Sequence, residues 1–277
     1  MGEKSFWRHQ VWRISSFWQW RRKAQRWWQW HPPFLFSLLK AAFEARHGRP
    51  EIEAHRAALL QDSSVLSSQD AGAGSSRMAL SHVPPVSTTA QIAKNSLKRK
   101  RHASALAAWC ETSGAREILE LGTSLGITTA YLAQAKESQI TTIECNGDRL
   151  DKARLIWSHL GCQDQIQAIQ GTFDDVLETL LGPNRQWDFI FIDGHHEGAA
   201  LRRYVDHLLP HLSHDGLLVC DDIHWSPDME EAWADIRRMP HWTLTLDVFE
   251  MGLVTRRRGL TRMDADVILR GNPRPVL

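Results

Sequence analysis

The stretch Glu117-Ile118-Leu119-Glu120-Leu121-Gly122-Thr123-Ser124-Leu125-Gly126 starts as a short apolar run and closes on two glycines four residues apart. A run this short, cut off by glycine, suits a buried strand better than a helix. Glycine lets the backbone turn tightly and come close to a ligand. The helix expected next, to about residue 136, offers unpaired N–H groups at its start to an anionic or carboxylate-bearing group. A glycine pair in a strand-to-helix turn is also ordinary turn chemistry. Taken alone, the stretch supports both a ligand cradle and a plain turn.

Working toward the C-terminus, the alternation repeats. Strands are expected at 139–144, 166–170, 188–193 and 217–221, and helices at 147–160, 173–181, 199–209 and 228–238. Near-continuous apolar strands separated by helices imply an α/β protein with a parallel sheet covered on both faces. Two last strands, 242–249 and 252–256, have no helix between them and are expected to form an antiparallel hairpin. Ligands of such open sheets bind beyond the carboxyl ends of the strands. Glu144 ends the second strand there, 22 residues after Gly122, where an acid can take both hydroxyls of a ribose.

The fourth strand runs into Asp193-Gly194-His195-His196-Glu197 and the fifth into Asp221-Asp222-Ile223-His224-Trp225. In a parallel sheet these ends are neighbours, so three carboxylates converge. Like charges raise one another's energy, so the cluster calls for a divalent cation or a basic substrate. Oxygen ligands suit a hard ion such as Mg²⁺. The plain alternative is that Asp221 or Asp222 caps the following helix or binds loop amides. His195 and His224 read as loop or supporting residues. Trp225 reads either as a substrate wall or as packing.

The turn has an acid before its first glycine and only two glycines, unlike the G-x-G-x-x-G of dinucleotide sites. This form resembles motif I of class I S-adenosylmethionine-dependent methyltransferases, in particular the O-methyltransferase branch. That Rossmann-like sheet also ends in an antiparallel hairpin. The resemblance runs from about 118 to 256, half the chain. Segments 31–34 and 71–75 are similar to those of a bacterial methyltransferase group, a match that says nothing of substrate. The resemblance implies that Glu120, Gly122 and the neighbouring Thr123, Ser124 and Gly126 hold the methionine part of S-adenosylmethionine. It places the ribose on Glu144 and the adenine between Phe173 and Asp174, and counts Asp193 among the cofactor-binding residues; Phe173 reads equally as a core aromatic. Asp193, Asp221 and Asp222 match the ligand positions of metal-dependent O-methyltransferases, with Asp222 where the catechol-type enzymes usually carry Asn. In sugar-modifying relatives a histidine follows the first aspartate by three residues. His196 fills that place and is the expected general base. The catechol-type lysine is absent from 193–197, which counts against catechol chemistry. The expected activity is methyl transfer to a hydroxyl of a small molecule or sugar, with Mg²⁺ or another divalent cation assisting. Two other readings are a nicotinamide-dependent Rossmann oxidoreductase and a non-catalytic protein docked on a membrane or RNA.

Upstream, residues 1–30 form a basic, tryptophan-rich arm, with seven Lys/Arg against Glu3 and seven of the 13 tryptophans. Trp7, Val11, Ile14 and Trp18 share one helical face, and Trp20, Ala24 and Trp27 begin a second. Such a helix fits a membrane interface, stacks on single-stranded nucleic acid, or packs its Trp face on the catalytic domain or on a second copy in a homodimer. Residues 31–112 read as a helical region: helices at 34–46, 51–61 and 88–112, with a Ser/Gly-rich loop at 62–90. Lys94 and the run Lys98-Arg99-Lys100-Arg101 read as a solvated face or a rim near the cofactor. Residues 113–260 form the cofactor-binding domain and 261–277 a tail. The 277 residues are 43% hydrophobic and 23% charged with a net charge of +1, which excludes a chain disordered throughout and a surface that coats nucleic acid generally. Cys110, Cys145, Cys162 and Cys220 form no CxxC pair and read as reduced thiols in a cytoplasmic protein. No apolar run reaches the ~18 residues of a membrane span.

Overall fold

The computed structural model describes residues 3–66 and 87–271. Its centre is a nine-stranded sheet whose strands lie in the order 25–26, 263–268, 244–247, 251–255, 212–221, 187–192, 117–121, 139–144 and 166–170. The parallel part consists of β4 (Glu117–Leu121), β5 (Gln139–Glu144), β6 (Ile166–Gln170), β7 (Trp187–Ile192) and β8 (Leu212–Asp221). The hairpin of β9 (Leu244–Asp247) and β10 (Met251–Thr255) is antiparallel, as expected, with β10 inserted between β8 and β9. Two strands lie beyond it. β11 (Met263–Ile268) comes from the segment read as a tail, and β1 (Gln25–Arg26) from the arm. In β11 the period-two pattern is plain once seen: Ala265 and Val267 are buried while their neighbours are partly exposed.

Helices cover both faces. One layer contains α2 (Pro33–Glu44), α5 (Lys100–Ser113), α6 (Ile127–Leu132) and α7 (Gly147–His159), and buries Leu38, Trp109 and Trp157 against Phe189 and Phe191. The other contains α8 (Phe173–Leu180), α9 (Gly198–Leu208) and α10 (Pro227–Arg238), and buries Tyr204 and Trp233 against Ile190 and Leu218. Pro33 opens α2, where its missing N–H costs nothing. The helix expected over 88–112 is two helices, α4 (Thr89–Ser96) and α5, separated by Leu97, Lys98 and Arg99, with α3 (Pro50–Leu59) beside them. Of the loop at 62–90, only Val65–Leu66 paired with Ser87–Thr88 and their flanks are described; the segment 71–75 lies outside the described residues.

Most of the arm is one helix, α1 (Glu3–Lys23), followed by β1 and a short 3₁₀ turn at Trp27–Gln29. The helix packs on the sheet domain, but not with the Val11-Ile14-Trp18 face. Among the described side chains of α1, Ser16 and Trp20 are buried. Phe17 and Trp20 meet Phe249, and His9 and Arg13 meet Trp225. Periodicity could not choose between faces, because the helix is apolar on both. No described helix is long and apolar enough to cross a membrane. Among the described residues none of the four cysteines is in a disulfide, and Cys110, Cys162 and Cys220 are buried.

Candidate active site

The carboxyl ends of β4, β5, β7 and β8 carry the expected residues, and backbone strain collects with them. Among the described residues, five non-glycines adopt positive φ. Ser124, His195, Asp222 and Phe249 lie at this edge; Glu137 alone does not. Such conformations cost roughly 1–3 kcal/mol each and tend to cluster at functional sites.

Both glycines have structural reasons to be glycine. Gly122 (φ +105°) faces the Asp193 carbonyl, which a Cβ would strike. Gly126 (φ +75°) lies under Ala153 and Trp157, and its carbonyl accepts from Trp157 Nε1 at 2.9 Å. Beneath the turn is a buried polar net. Glu120 Oε2 accepts from Thr129 Oγ1 (2.6 Å) and Thr142 Oγ1 (2.7 Å), and Thr142 Oγ1 lies 2.6 Å from Thr123 Oγ1. Burial pushes the Glu120 carboxyl up to about 7 against the pull of the two hydroxyls. Glu120 thus supports the turn from within the sheet.

Glu144 shapes the turn's open side. Its Oε2 accepts from the Ser124 amide (2.8 Å), its Oε1 from the Asn146 amide (3.1 Å), and Arg149 lies 3.7 Å away. A carboxylate has about four lone-pair sites, so two backbone donors leave capacity for ribose hydroxyls. Ser124 Oγ is buried with no hydrogen-bond partner among the described residues. A buried orphan hydroxyl beside a strand-end acid fits a polar ligand group. At the expected adenine end, Phe173 is buried against His195 and Tyr204, and Asp174 pairs with Arg203 at 3.1 Å.

Asp193, Asp221 and Asp222 do converge, and the cation among them is Lys98. Its Nζ contacts Asp221 directly and lies 3.7 Å from Asp193 Oδ2. The break between α4 and α5 is what brings this lysine down to the strand ends, so for Lys98 a solvated face is ruled out and the reading of the run as a rim near the site is the one that fits. Burial works against its charge. The carboxylates of Asp193, Asp221 and Asp222 outweigh that and hold the ammonium above the ordinary lysine range. Burial and repulsion from Asp193 push the Asp221 carboxyl up, while Lys98 pulls it down. Neither aspartate caps α10; Ser226 does, accepting from the Met229 amide at 3.2 Å. His196 Nδ1 lies 3.7 Å from Asp222 Oδ2. His195 is held below the usual imidazole range, chiefly by burial.

His224 and Trp225 serve the arm. His224 Nε2 lies 2.9 Å from Asp247 Oδ2, Nδ1 lies 3.4 Å from Glu230 Oε2 and 3.3 Å from Ser16 Oγ, and the ring stacks on Phe249. Burial opposes protonation, yet the two carboxylates raise this imidazole to about 9.

This edge can be compared with known proteins. Residues 119–223 match the family model of a methyltransferase domain. An O-methyltransferase of Aspergillus hancockii is 32% identical over 129 residues, 44% of this chain and 49% of that protein. The catechol O-methyltransferase of Mycobacterium tuberculosis is 27% identical over 111 residues, 39% of this chain and 49% of that one. The chain thus spans about half the length of these curated relatives. The fold is similar to the S-adenosylhomocysteine-bound Podospora anserina methyltransferase PaMTH1, with TM-score 0.56 and 17% identity over 75% of this chain and 88% of that one. It is also similar to the Streptomyces achromogenes O-methyltransferase TomG, solved with S-adenosylmethionine, with TM-score 0.52 and 17% identity over 59% of this chain and 82% of that one. The glycine turn, Glu144 and the carboxylate cluster all fall inside residues 119–223, the segment that matches a methyltransferase domain.

Proposed function

We propose that the protein transfers a methyl group from S-adenosylmethionine to a hydroxyl of a small molecule or sugar. The observation that carries this reading is the juxtaposition, along one strand-end edge, of the Gly122–Gly126 turn and Glu144 with the His196–Asp222 pair and Lys98. When bound, S-adenosylmethionine supplies an electrophilic sulfonium methyl. The turn residues Gly122, Thr123, Ser124 and Gly126 hold its methionine end, with Glu120 supporting them from below. Glu144 takes the ribose, Phe173 and Asp174 flank the adenine, and Asp193 borders the methionine end. His196, with Nδ1 toward Asp222, is the base that accepts the acceptor's hydroxyl proton. Lys98, fixed by Asp221 and Asp193, places positive charge beside the oxygen as it turns anionic.

The metal expected at Asp193, Asp221 and Asp222 does not suit this arrangement. The Lys98 ammonium fills the role a divalent ion would play, and among the described residues no group of three or more His, Cys, Asp or Glu is set to hold one. No step of the proposed chemistry is routed through a metal.

Calorimetry on the purified protein tests the cofactor assignment. S-adenosylhomocysteine is expected to bind, and NAD is not. Glu144→Ala is expected to weaken S-adenosylhomocysteine by about 1–3 kcal/mol, the scale of a charged hydrogen-bond partner. Binding of NAD alone overturns the reading, and unchanged affinity in a folded Glu144→Ala protein removes Glu144 from the site.

A further inference from the structure

Helix α1 has two apolar stripes, and the fold uses one. Ser16, Phe17 and Trp20 face the domain through His224, Glu230 and Phe249. On the other side Val11, Ile14 and Trp18, spaced i, i+3 and i+7, are 64%, 59% and 58% exposed. Single exposed apolar residues are normal, but three in line along one helix face make a contiguous stripe that marks an interaction surface. The charge around it is one-sided. Arg22 is exposed one turn beyond Trp18, and Arg21 and Lys23 share the last turn. Residues 1–30 carry a net +6, whereas the rest of the chain holds 26 Lys/Arg against 31 Asp/Glu, a net −5.

That pattern selects among partners. A second copy docking on the same stripe would bring two +6 arms together, and like charges oppose that contact. Nucleic-acid stacking uses flat aromatic faces, but two of the three exposed residues are aliphatic. An anionic bilayer surface satisfies both features. Aliphatic side chains enter the acyl boundary, tryptophan sits at headgroup depth, and the flanking arginines meet lipid phosphates and carboxylates. We propose that α1 is a membrane-docking helix that lays Val11, Ile14 and Trp18 into the interface of an anionic bilayer while its opposite face stays on the domain.

The test is flotation of the full chain with phosphatidylcholine vesicles, and with vesicles of phosphatidylcholine mixed with phosphatidylserine. Binding is expected to the mixed vesicles, much less to the neutral ones, and to fall as salt is raised, because charge contributions are screened beyond roughly 10 Å at 0.1 M. Val11→Ser/Ile14→Ser/Trp18→Ser is expected to lower the partition coefficient about a hundredfold, since three partly inserted apolar side chains lose their favourable transfer out of water. Arg21→Glu/Arg22→Glu is expected to remove the preference for the mixed vesicles. Both variants change exposed or partly exposed residues away from the strand ends, so S-adenosylhomocysteine affinity and circular dichroism report that the fold is kept. Trp18→Ser alone, expected to lose several-fold, serves if the triple variant folds poorly. The proposal is overturned if the full chain ignores mixed vesicles, or if a folded stripe variant binds them as wild type does. It is equally overturned if sedimentation shows a dimer that the stripe variant dissolves, or if the stripe proves to bind single-stranded RNA in place of vesicles.

Discussion

On the β4–β5 side of the edge, Glu144 is gripped by the amides of Ser124 and Asn146, and all three residues lie within one strand–helix–strand unit. On the β7–β8 side, Asp193 and Asp221 close on Lys98, which is 95 and 123 residues distant in sequence. The first side is built of local chain geometry and main-chain donors. The second is built of charges delivered from separate segments, with Lys98 from the α4–α5 break and His196 from the β7–α9 loop. The two sides are therefore expected to fail differently. A backbone-built site survives side-chain changes around it and loses only the affinity of the changed group, whereas a buried charge cluster depends on every member.

Lys98→Met gives the largest expected effect. It leaves three carboxylates converging without their cation, and breaking a buried pair by removing one partner costs about 3–5 kcal/mol. Denaturant unfolding at neutral pH measures this. The loss is expected to shrink as pH falls, because protonating the cluster relieves the repulsion, and to be partly recovered in Lys98→Met/Asp221→Asn. A loss below 1 kcal/mol that does not change with pH would show that the β7–β8 side is no more charge-dependent than the β4–β5 side.

The same contrast decides what was legible in the sequence. The parallel strands, the hairpin, the glycine turn and the strand-end acids Glu144, Asp193, Asp221 and Asp222 follow from local pattern, and the structure places them as expected. Lys98 does not follow. No glycine or proline interrupts 97–99, so nothing local breaks the helix expected there, and in a run of four basic residues a solvated face is the ordinary reading. The available signal was indirect: three converging carboxylates require a cation, and the chain has one to give. Which face of the arm packs on the domain was hidden for the opposite reason, an excess of signal, since tryptophans on two faces give periodicity no preference.

The second prediction concerns the joint between the arm and the domain, where His224 is protonated up to about 9 when folded but only to about 6.5 in an unfolded chain. The folded state therefore binds the extra proton between those limits. Its contribution is complete below about pH 6.5 and is lost as pH rises through about 9, at most about 3 kcal/mol in all. Thermal melts across that range are expected to fall steeply for the wild type and to be flatter for His224→Gln, with proteolysis after Arg21 or Arg22 rising over the same window as α1 loosens. Parallel pH profiles for the two proteins would mean that His224 holds its ordinary imidazole character and that apolar contacts with Phe249 carry the joint.

The smallest expected effect comes from metal. A ligand that binds only the folded state raises its stability by mass action, so an ion held by Asp193, Asp221 and Asp222 would raise the melting temperature in proportion to the logarithm of its concentration. Lys98 changes that expectation. To enter, a divalent ion must displace an ammonium already paired with Asp221 and Asp193, and the displaced charge would then be left beside the ion in a buried setting. Adding Mg²⁺ or Mn²⁺, or removing both with EDTA, is expected to leave the wild-type melting temperature and S-adenosylhomocysteine affinity unchanged. Methyl transfer, once an acceptor is in hand, is expected to persist in EDTA. Lys98→Met sharpens the point, because with the ammonium gone the repulsion among the three carboxylates is uncompensated, and Mg²⁺ is expected to stabilise this variant by offsetting that charge where it leaves the wild type unmoved. A wild type stabilised by Mg²⁺ as strongly as the variant would return the cluster to the metal and reduce Lys98 to a neighbour that moves aside.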